Sequence, residues 1–236
     1  MRIWDINPGY LNRQSLLGEH RELHGMVSIF VNNKTGYSRH PETLRWVGYG
    51  WALRQRHQLI AAEMSLRGYT DKTPVNLRSN RECWPETFID EPLAQFHLLK
   101  EKYLTKQPGR IPLPETAQQL WRQHKYSVLA RDNMLYKKIG QLTTGMSPTD
   151  DFSALSRQLT QVLRQRPSHG GIHNSLLHMW GYVSSFYAGD KNKVQNWSHK
   201  RLLKETQALV MSEKTDYLIS STALSELATW LETDCH

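Results

Sequence analysis

The chain has 236 residues, which is long enough for one large domain or for two domains of about 110–120 residues. It carries 30 Lys and Arg residues against 22 Asp and Glu residues, and the net charge of +8 favours a polyanionic partner without requiring one. The two cysteines, Cys83 and Cys235, are far apart in the sequence and form no CxxC pattern, so a disulfide framework, a zinc finger or an iron–sulfur site has almost no support. Polar residues interrupt the N-terminal apolar residues, and no run reaches about 20 apolar residues, so we expect a cytoplasmic protein without membrane contact.

The first predicted helix covers about residues 9–32. Its apolar side recurs at three- and four-residue steps and forms one predicted buried stripe: Leu16, His20, Leu23, Val27 and Phe30. Arg21 and Glu22 fall off this stripe. They are therefore expected to face solvent or a ligand, because packing of the core does not require these two residues.

Three further features complete the first half. His40-Pro41-Glu42 predicts the start of a short helix, because proline is tolerated in the first turn. A longer helix is predicted from Trp51 to Arg67, with Gly68 as its C-cap. Residues 69–90 are polar and irregular, so we expect a loop there, followed by a last helix from Leu93 to Lys106.

Three prolines within residues 108–114 predict a linker between two domains. Helical patterns then follow at about 115–131, 132–143, 150–166, 171–188, 193–211 and 217–232. Nothing in the sequence predicts a strand. We therefore expect an all-α protein with two helical domains, residues 1–107 and 115–236, joined by the Pro-rich linker at 108–114.

The first 23 residues place an arginine beside the terminal amine and a carboxylate on the predicted first helix. After Met1 and Arg2 the chain continues through Gln14-Ser15-Leu16-Leu17 to Gly18-Glu19-His20-Arg21-Glu22-Leu23. A terminal α-amine is less basic than a lysine side chain, so a useful fraction is an uncharged nucleophile near neutral pH. If Glu22 folds back beside Met1, the pair could attack a sugar carbon.

The run from Arg2 to Leu23 resembles, without a gap, the start of the pyrimidine-dimer DNA glycosylase family of the phage endonuclease V type. Further matching segments follow at similar intervals: Leu53-Arg54-Gln55-Arg56, Leu59-Ile60-Ala61-Ala62-Glu63, Leu66-Arg67-Gly68-Tyr69 and Leu99-Lys100-Glu101-Lys102. The resemblance covers about residues 1–110. It implies a helical domain that acts on damaged DNA.

The resemblance assigns the catalytic roles to Met1 and Glu22. The Met1 α-amine would attack C1′ of the 5′ nucleotide of a pyrimidine dimer and form a Schiff base, after which β-elimination cuts the strand. Glu22 matches the catalytic glutamate, whose charge stabilises the positive charge that develops at C1′. The phage enzyme loses its methionine and exposes threonine, whereas the bulky Arg2 should keep Met1 in place here.

The resemblance also implies DNA-binding residues. Arg2 and Arg21 match arginines that hold phosphates, and Lys102 aligns with a lysine near the DNA surface. From their charge alone, Arg39 and Arg45 are further candidate phosphate contacts. Each of these cations could instead be an ordinary solvated side chain.

Two positions depart from the family pattern. Gly25 stands where the phage enzyme has an arginine, and Leu98 stands where a basic residue is expected.

The leading hypothesis is a DNA glycosylase and AP lyase that binds double-stranded DNA containing pyrimidine dimers or abasic sites. Because of these two departures, a second hypothesis is a non-catalytic nucleic-acid-binding protein that retains the scaffold. A third hypothesis is that the protein carries out the same imine chemistry on another modified base.

The second half carries a second set of markers: His124-Lys125-Tyr126-Ser127-Val128-Leu129-Ala130, Tyr136, Ile139-Gly140-Gln141-Leu142, His173-Asn174, His178 and Gly181-Tyr182. They resemble the poorly characterised domain appended to some bacterial thiouracil and 4-thiouridine desulfidases, which implies RNA or DNA handling, with tRNA or another RNA as a partner. The candidate contacts lie close to two tyrosines and are Lys125, Arg131, Lys137 and Lys138. Ordinary solvated helix faces are the alternative.

We expect no metal and no other cofactor. His20 and His24 lie one helical turn apart, but no third ligand follows at a recognisable spacing, and His20 belongs to the apolar stripe. The sequence has no phosphate-binding glycine loop and no persuasive Ser-His-Asp arrangement.

Overall fold

The computed structural model describes residues 1–231. Most of these residues lie in helices, and none of them lies in a strand. The all-α prediction is therefore confirmed. The chain divides into two compact units, Met1–Gly109 and Arg110–His236. None of the helices among the described residues is both long and apolar enough to cross a lipid bilayer.

The first unit begins with an extended segment and a short 3₁₀ helix at Pro8–Tyr10. Its α-helices are α1 (Arg13–Asn32), α2 (Pro41–Arg45), α3 (Gly50–Leu66) and α4 (Pro92–Lys102). Helix α1 starts at Arg13 rather than near residue 9, because the Asn12 side chain caps it by accepting from Ser15 N at 2.8 Å.

Two predicted helix ends are confirmed. The His40 side chain accepts from Glu42 N at 3.1 Å and Pro41 occupies the first turn, so α2 begins where the sequence predicts. Gly68 follows α3 with a φ of +80°, a conformation that costs glycine little and other residues more. The predicted loop is also confirmed, because no helix lies between α3 and α4.

The core of the first unit lies between α1 and α3. Leu16 and Leu23 are fully buried on α1, as predicted, and they face a helix on which Leu53 and Ile60 are also fully buried. The rest of the predicted stripe differs from the observed one. His20, Val27 and Phe30 are only partly buried, whereas Glu19 and Met26, which were not predicted, are buried.

The second unit contains seven α-helices within residues 110–231: α5 (Ala117–Leu129), α6 (Asn133–Gly145), α7 (Ser153–Leu163), α8 (His169–Gly181), α9 (His199–Ser212), α10 (Asp216–Ile219) and α11 (Ala223–Leu231). The helix predicted at 217–232 is in fact two helices, and residue 232 and Cys235 lie outside the described residues. The pattern at 193–211 begins with a 3₁₀ helix, Lys191–Asn196, before α9. Local apolar spacing predicts a helix but does not resolve a short break within it.

The residues that follow Gly109 pack onto the second unit. Arg110 donates to the Ile219 and Ser221 carbonyls, and Gln123 Nε2 donates to Pro112 O at 2.9 Å. Ile111 is fully buried. Gly109 itself closes the first unit, where a Cβ would lie 2.3 Å from Tyr10 O, so the close approach of the two backbones requires glycine.

Candidate active site

The extended N-terminal segment is held in place by side chains of α1 and α4. Ile3, Trp4 and Ile6 are buried. Trp4 N donates to Glu19 Oε1 at 3.0 Å, and Asp5 N donates to Gln95 Oε1 at 2.9 Å. The start of the chain therefore has a defined position although it forms no helix.

The same segment brings the terminal amine close to Glu22. Arg2 N donates to Glu22 Oε2 at 2.5 Å. The amine of Met1 is only three covalent bonds from this nitrogen, so standard bond lengths place it within about 4 Å of Arg2 N. A second contact, from Thr43 Oγ1 to Met1 Sδ at 3.3 Å, fixes the Met1 side chain. The nucleophile and the carboxylate that the sequence predicts are thus neighbours.

A pocket with a volume of about 320 Å³ opens beside this contact. Its walls come from the N-terminal segment, α1 and α4, and they consist of Arg2, Trp4, Gln14, Ser15, Gly18, Glu19, Glu22, Leu98 and Lys102. The structure therefore brings Arg2, Glu22 and Lys102 together, and the two cations among them suit an anionic substrate. Leu98, which stands at the position of an expected basic residue, also faces the pocket.

Glu19 and Arg56 form a buried ion pair beneath the pocket. Arg56 Nε and Nη2 donate to the two Glu19 oxygens at 2.7 and 2.8 Å, and Arg56 Nη1 donates to Ile6 O at 2.7 Å. Burial raises the pKa of Glu19, and the Arg56 guanidinium opposes that shift. The pair anchors the N-terminal segment to both α1 and α3.

Glu19 is a residue of the site that the sequence pattern does not single out. The available signal is its spacing, since Glu19 and Glu22 are three residues apart and share one face of α1. The partner on α3 is 37 residues away, and no local pattern indicates it.

The predicted phosphate-binding arginines have different surroundings. The Arg2 side chain is 38% exposed, pairs with Asp90 at 2.7 Å and lies over the Trp4 ring at 5.0 Å. Arg21 is exposed on α1 outside the pocket lining, and its Nε donates to Leu17 O at 3.2 Å. Gly25 lies one turn beyond Arg21, and a Cβ there would meet open space.

The prediction that Arg45 binds phosphate is wrong. Its side chain is 4% exposed and pairs with Asp5 at 2.9 Å and with Glu42 at 2.5 Å. Its guanidinium also donates to Ile3 O, so it helps to fix the N-terminal segment rather than to contact DNA. Arg39 is exposed between α1 and α2, but it is not among the residues that line the pocket.

In the second unit, Arg131 is also wrongly predicted as a nucleic-acid contact. Its side chain is 2% exposed and forms a two-pronged pair with Glu226 at 3.0 and 3.1 Å. Both charges are buried, so neither is available to a phosphate. Lys137 and Lys138 are exposed on α6.

Lys125 belongs to a cluster of cationic and aromatic side chains. Its Nζ lies 4.9 Å from the Tyr217 ring centre, and the Arg122 guanidinium lies 4.7 Å from the same ring. The Tyr182 ring lies 4.9 Å from that of Tyr217, tilted by 33°, and Tyr182 is 49% exposed. A hydrogen bond with Tyr126 lowers the pKa of Tyr182. We name Arg122, Lys125, Tyr182 and Tyr217 the tyrosine cluster.

A second group of polar side chains lies in the first unit. His20, His24, His57 and Asp71 each offer one ligand atom, and these atoms lie within 4.8 Å of one another. Sequence spacing gives no sign of the two further potential ligands, because His57 on α3 and Asp71 in the loop after it approach His20 and His24 only in the tertiary fold. Burial lowers the pKa of His57 to about 4, so its ring is neutral at neutral pH.

Comparison with known protein families gives two matches. Residues 1–77 match the family model for pyrimidine dimer DNA glycosylase, and residues 125–198 match the model for a protein of unknown function (DUF1722). The two matches confirm the two-part resemblance and support a function related to pyrimidine dimer glycosylases for the first unit. Neither the curated proteins nor the solved structures gave a match.

Proposed function

We propose that this protein is a DNA glycosylase and AP lyase that acts on pyrimidine dimers through the α-amine of Met1. The observation that carries the proposal is the hydrogen bond from Arg2 N to Glu22 Oε2, which sets the amine beside a carboxylate at the edge of a pocket. The family match to residues 1–77 includes both of these positions.

In the proposed reaction, the lone pair of the Met1 nitrogen forms a bond to C1′ as the bond from C1′ to the base breaks. The electron pair of that bond leaves with the base, which then takes up a proton. The nitrogen loses its protons as the sugar ring opens, which yields an imine. The negative charge of Glu22 stabilises the cationic character at C1′, and its carboxylate can accept a proton from the amine. In the β-elimination that follows, a base removes a proton from C2′ of the imine and a C2′–C3′ double bond forms. The bond from C3′ to the phosphate oxygen breaks, and its electron pair leaves with the phosphate.

The cations around the pocket would hold the damaged strand. Arg2 and Lys102 line the pocket with Glu22, and Arg21 extends the cationic surface along α1. Phosphate contacts of this kind position the duplex without reading its sequence. Arg2 would exchange its pair with Asp90 for a phosphate, because a solvent-exposed ion pair contributes little stability.

Reductive trapping tests the proposal. Protein with a Met1 terminus verified by mass spectrometry is incubated with borohydride and a duplex that carries a pyrimidine dimer or an abasic site. We expect one covalent complex, with the cross-link on the Met1 nitrogen. The same protein after selective acetylation of its terminal amine should form none. A cross-link on a lysine side chain, or no cross-link with a verified free terminus, would contradict the proposal.

The alternative is a non-catalytic nucleic-acid-binding protein, which the apolar Leu98 in the pocket wall favours. Such a protein would bind damaged and undamaged duplexes equally, with strong salt dependence, and would cut neither. The trapping experiment distinguishes the two, because binding without imine chemistry leaves no covalent product.

For the second unit, we propose that the tyrosine cluster binds single-stranded nucleic acid. Aromatic rings beside cations suit the stacking of bases and the pairing of phosphates. Replacing Tyr182 with Ala in the full chain is expected to weaken binding of a single-stranded oligonucleotide or tRNA by roughly 5- to 150-fold, since stacking on one ring contributes about 1–3 kcal/mol.

Fluorescence anisotropy with labelled tRNA and labelled DNA measures the effect. Lys125→Ala should reduce the slope of log affinity against log salt by about 0.7, the value for one lost phosphate contact on a single strand. Lys193→Ala is the matched control, because Lys193 is a 76% exposed cation outside the cluster. Equal losses in Lys125→Ala and Lys193→Ala, with parent-like binding by Tyr182→Ala, would point to non-specific charge instead.

A further inference from the structure

We propose that His20, His24, His57 and Asp71 bind a divalent transition metal ion, and that Zn²⁺ fits the site best. The four side chains converge from three parts of the first unit: α1 supplies two histidines, α3 supplies His57, and the loop after α3 supplies Asp71. This inference does not depend on the proposed glycosylase function.

The nearest pairs of ligand atoms are spaced as in a tetrahedral site. Zn²⁺ binds imidazole nitrogen and carboxylate oxygen at about 2.0–2.2 Å, which separates neighbouring ligand atoms of a tetrahedron by about 3.3–3.6 Å. His20 Nε2 lies 3.1 Å from Asp71 Oδ1 and 3.3 Å from His24 Nε2. His57 Nε2 lies 3.5 Å from Asp71 Oδ2. All four ligand atoms, one from each residue, lie within 4.8 Å of one another, so small side-chain rotations would bring them to a single ion.

Hydrogen bonding alone does not account for the cluster. If His20 Nε2 donates its proton to Asp71, it keeps no lone pair to accept from His24 Nε2. If it keeps the lone pair, it loses the bond to the carboxylate. His57 Nε2 is buried and forms no hydrogen bond, and its contact with Asp71 Oδ2 is long at 3.5 Å. A cation at the centre would satisfy all three nitrogen atoms at once, whereas a buried nitrogen without a hydrogen bond is costly.

The ligand types favour zinc among the common metals. Three imidazole nitrogens and one carboxylate suit Zn²⁺ and other late first-row ions, while calcium and magnesium prefer oxygen ligands alone. Four protein ligands also fill the tetrahedron, which is typical of a structural site rather than a catalytic one.

The position on α1 supports a structural role. His20 and Glu22 are two residues apart, so their side chains point about 200° apart around the helix, and the cluster lies away from the Met1–Glu22 contact. Asp71 belongs to the long loop between α3 and α4, whose Asp90 pairs with Arg2. The ion would therefore tie the beginning of this loop to α1 and α3.

Metal analysis of the full chain tests the inference. Protein produced with added zinc is analysed by inductively coupled plasma mass spectrometry, and we expect about one zinc ion per chain. The metal-free protein is then titrated with Zn²⁺ against a chelator of known affinity, and with Co²⁺, whose visible absorption bands report tetrahedral coordination. Zn²⁺ should raise the melting temperature and protect the loop after α3 from protease.

Two variants and one control make the test specific. His24 is only partly buried, so His24→Ala should fold, and Asp71→Asn keeps the shape of the side chain. Each should weaken Zn²⁺ binding by at least about 100-fold, because loss of a residue that merely orients a ligand already costs about 10- to 100-fold. His97→Ala removes an exposed histidine of α4 and should bind Zn²⁺ like the parent.

Two results would overturn the inference. One is a parent protein that contains no zinc as purified and shows no Co²⁺ bands on titration. The other is equal Zn²⁺ affinity in the parent, His24→Ala and Asp71→Asn, which would place the ion elsewhere. Circular dichroism on every variant verifies that a loss of binding is not a loss of fold.

Discussion

Replacing Glu22 with Gln is expected to lower the rate of base release by about 10²- to 10⁴-fold, the usual contribution of a positioned acid or base. The change removes one negative charge and adds an amide of nearly equal shape. The substituted side chain can still accept the hydrogen bond from Arg2 N, because its carbonyl oxygen replaces Glu22 Oε2. The N-terminal segment should therefore keep its position, and the loss should reflect chemistry rather than folding.

Single-turnover cleavage of a dimer-containing duplex measures this effect, and the amount of borohydride-trapped complex reports the imine. Glu101→Gln is the charge-matched control, since Glu101 is an exposed carboxylate on α4 beside Lys102. We expect the control to cut DNA at the parent rate. If Glu22→Gln also cuts and traps at the parent rate, the carboxylate has no part in the reaction, whatever its distance from Met1.

The helices can be predicted because their signals are local. Pro41 and Gly68 mark helix ends through their own backbone preferences, and both ends are observed. The predicted start of α1 is too early, since the cap at Asn12 lies within a run of polar and apolar residues that also suits a helix. The break between α10 and α11 escapes prediction for the same reason, as neither Gly nor Pro marks it.

The site can be predicted only where residues lie on one helix or in the N-terminal segment. Glu22 stands out because it falls off the apolar stripe of α1. The predictions for Arg45 and Arg131 are wrong, since a positive charge in the sequence does not reveal a buried partner 40 or 95 residues away. The histidine cluster escapes prediction for a similar reason, because His57 and Asp71 join α1 only through the tertiary fold.

Replacing Glu19 with Gln is expected to destabilise the first unit by about 3–5 kcal/mol, because it leaves the Arg56 charge buried without a counter-charge. Arg56 is 2% exposed, so water cannot replace the lost carboxylate. Glu63→Gln is the matched control. Its partner Arg67 has a side chain that is 15% exposed and donates to the Leu11 carbonyl as well, so the loss should be smaller. Urea unfolding at neutral pH, followed by tryptophan fluorescence, measures both.

A double variant separates the ion pair from the packing around it. In Glu19→Gln with Arg56→Met, both charges are absent, while the new amide oxygen can still accept from Trp4 N as Glu19 does at 3.0 Å. Replacing a buried pair by uncharged groups of similar volume is often neutral, so the double variant should regain most of the stability that the single variant loses. If the two losses simply add, the packing of Arg56 against α1 and the Ile6 carbonyl matters more than its charge. The anchoring of the N-terminal segment would then depend on shape rather than on the buried ion pair.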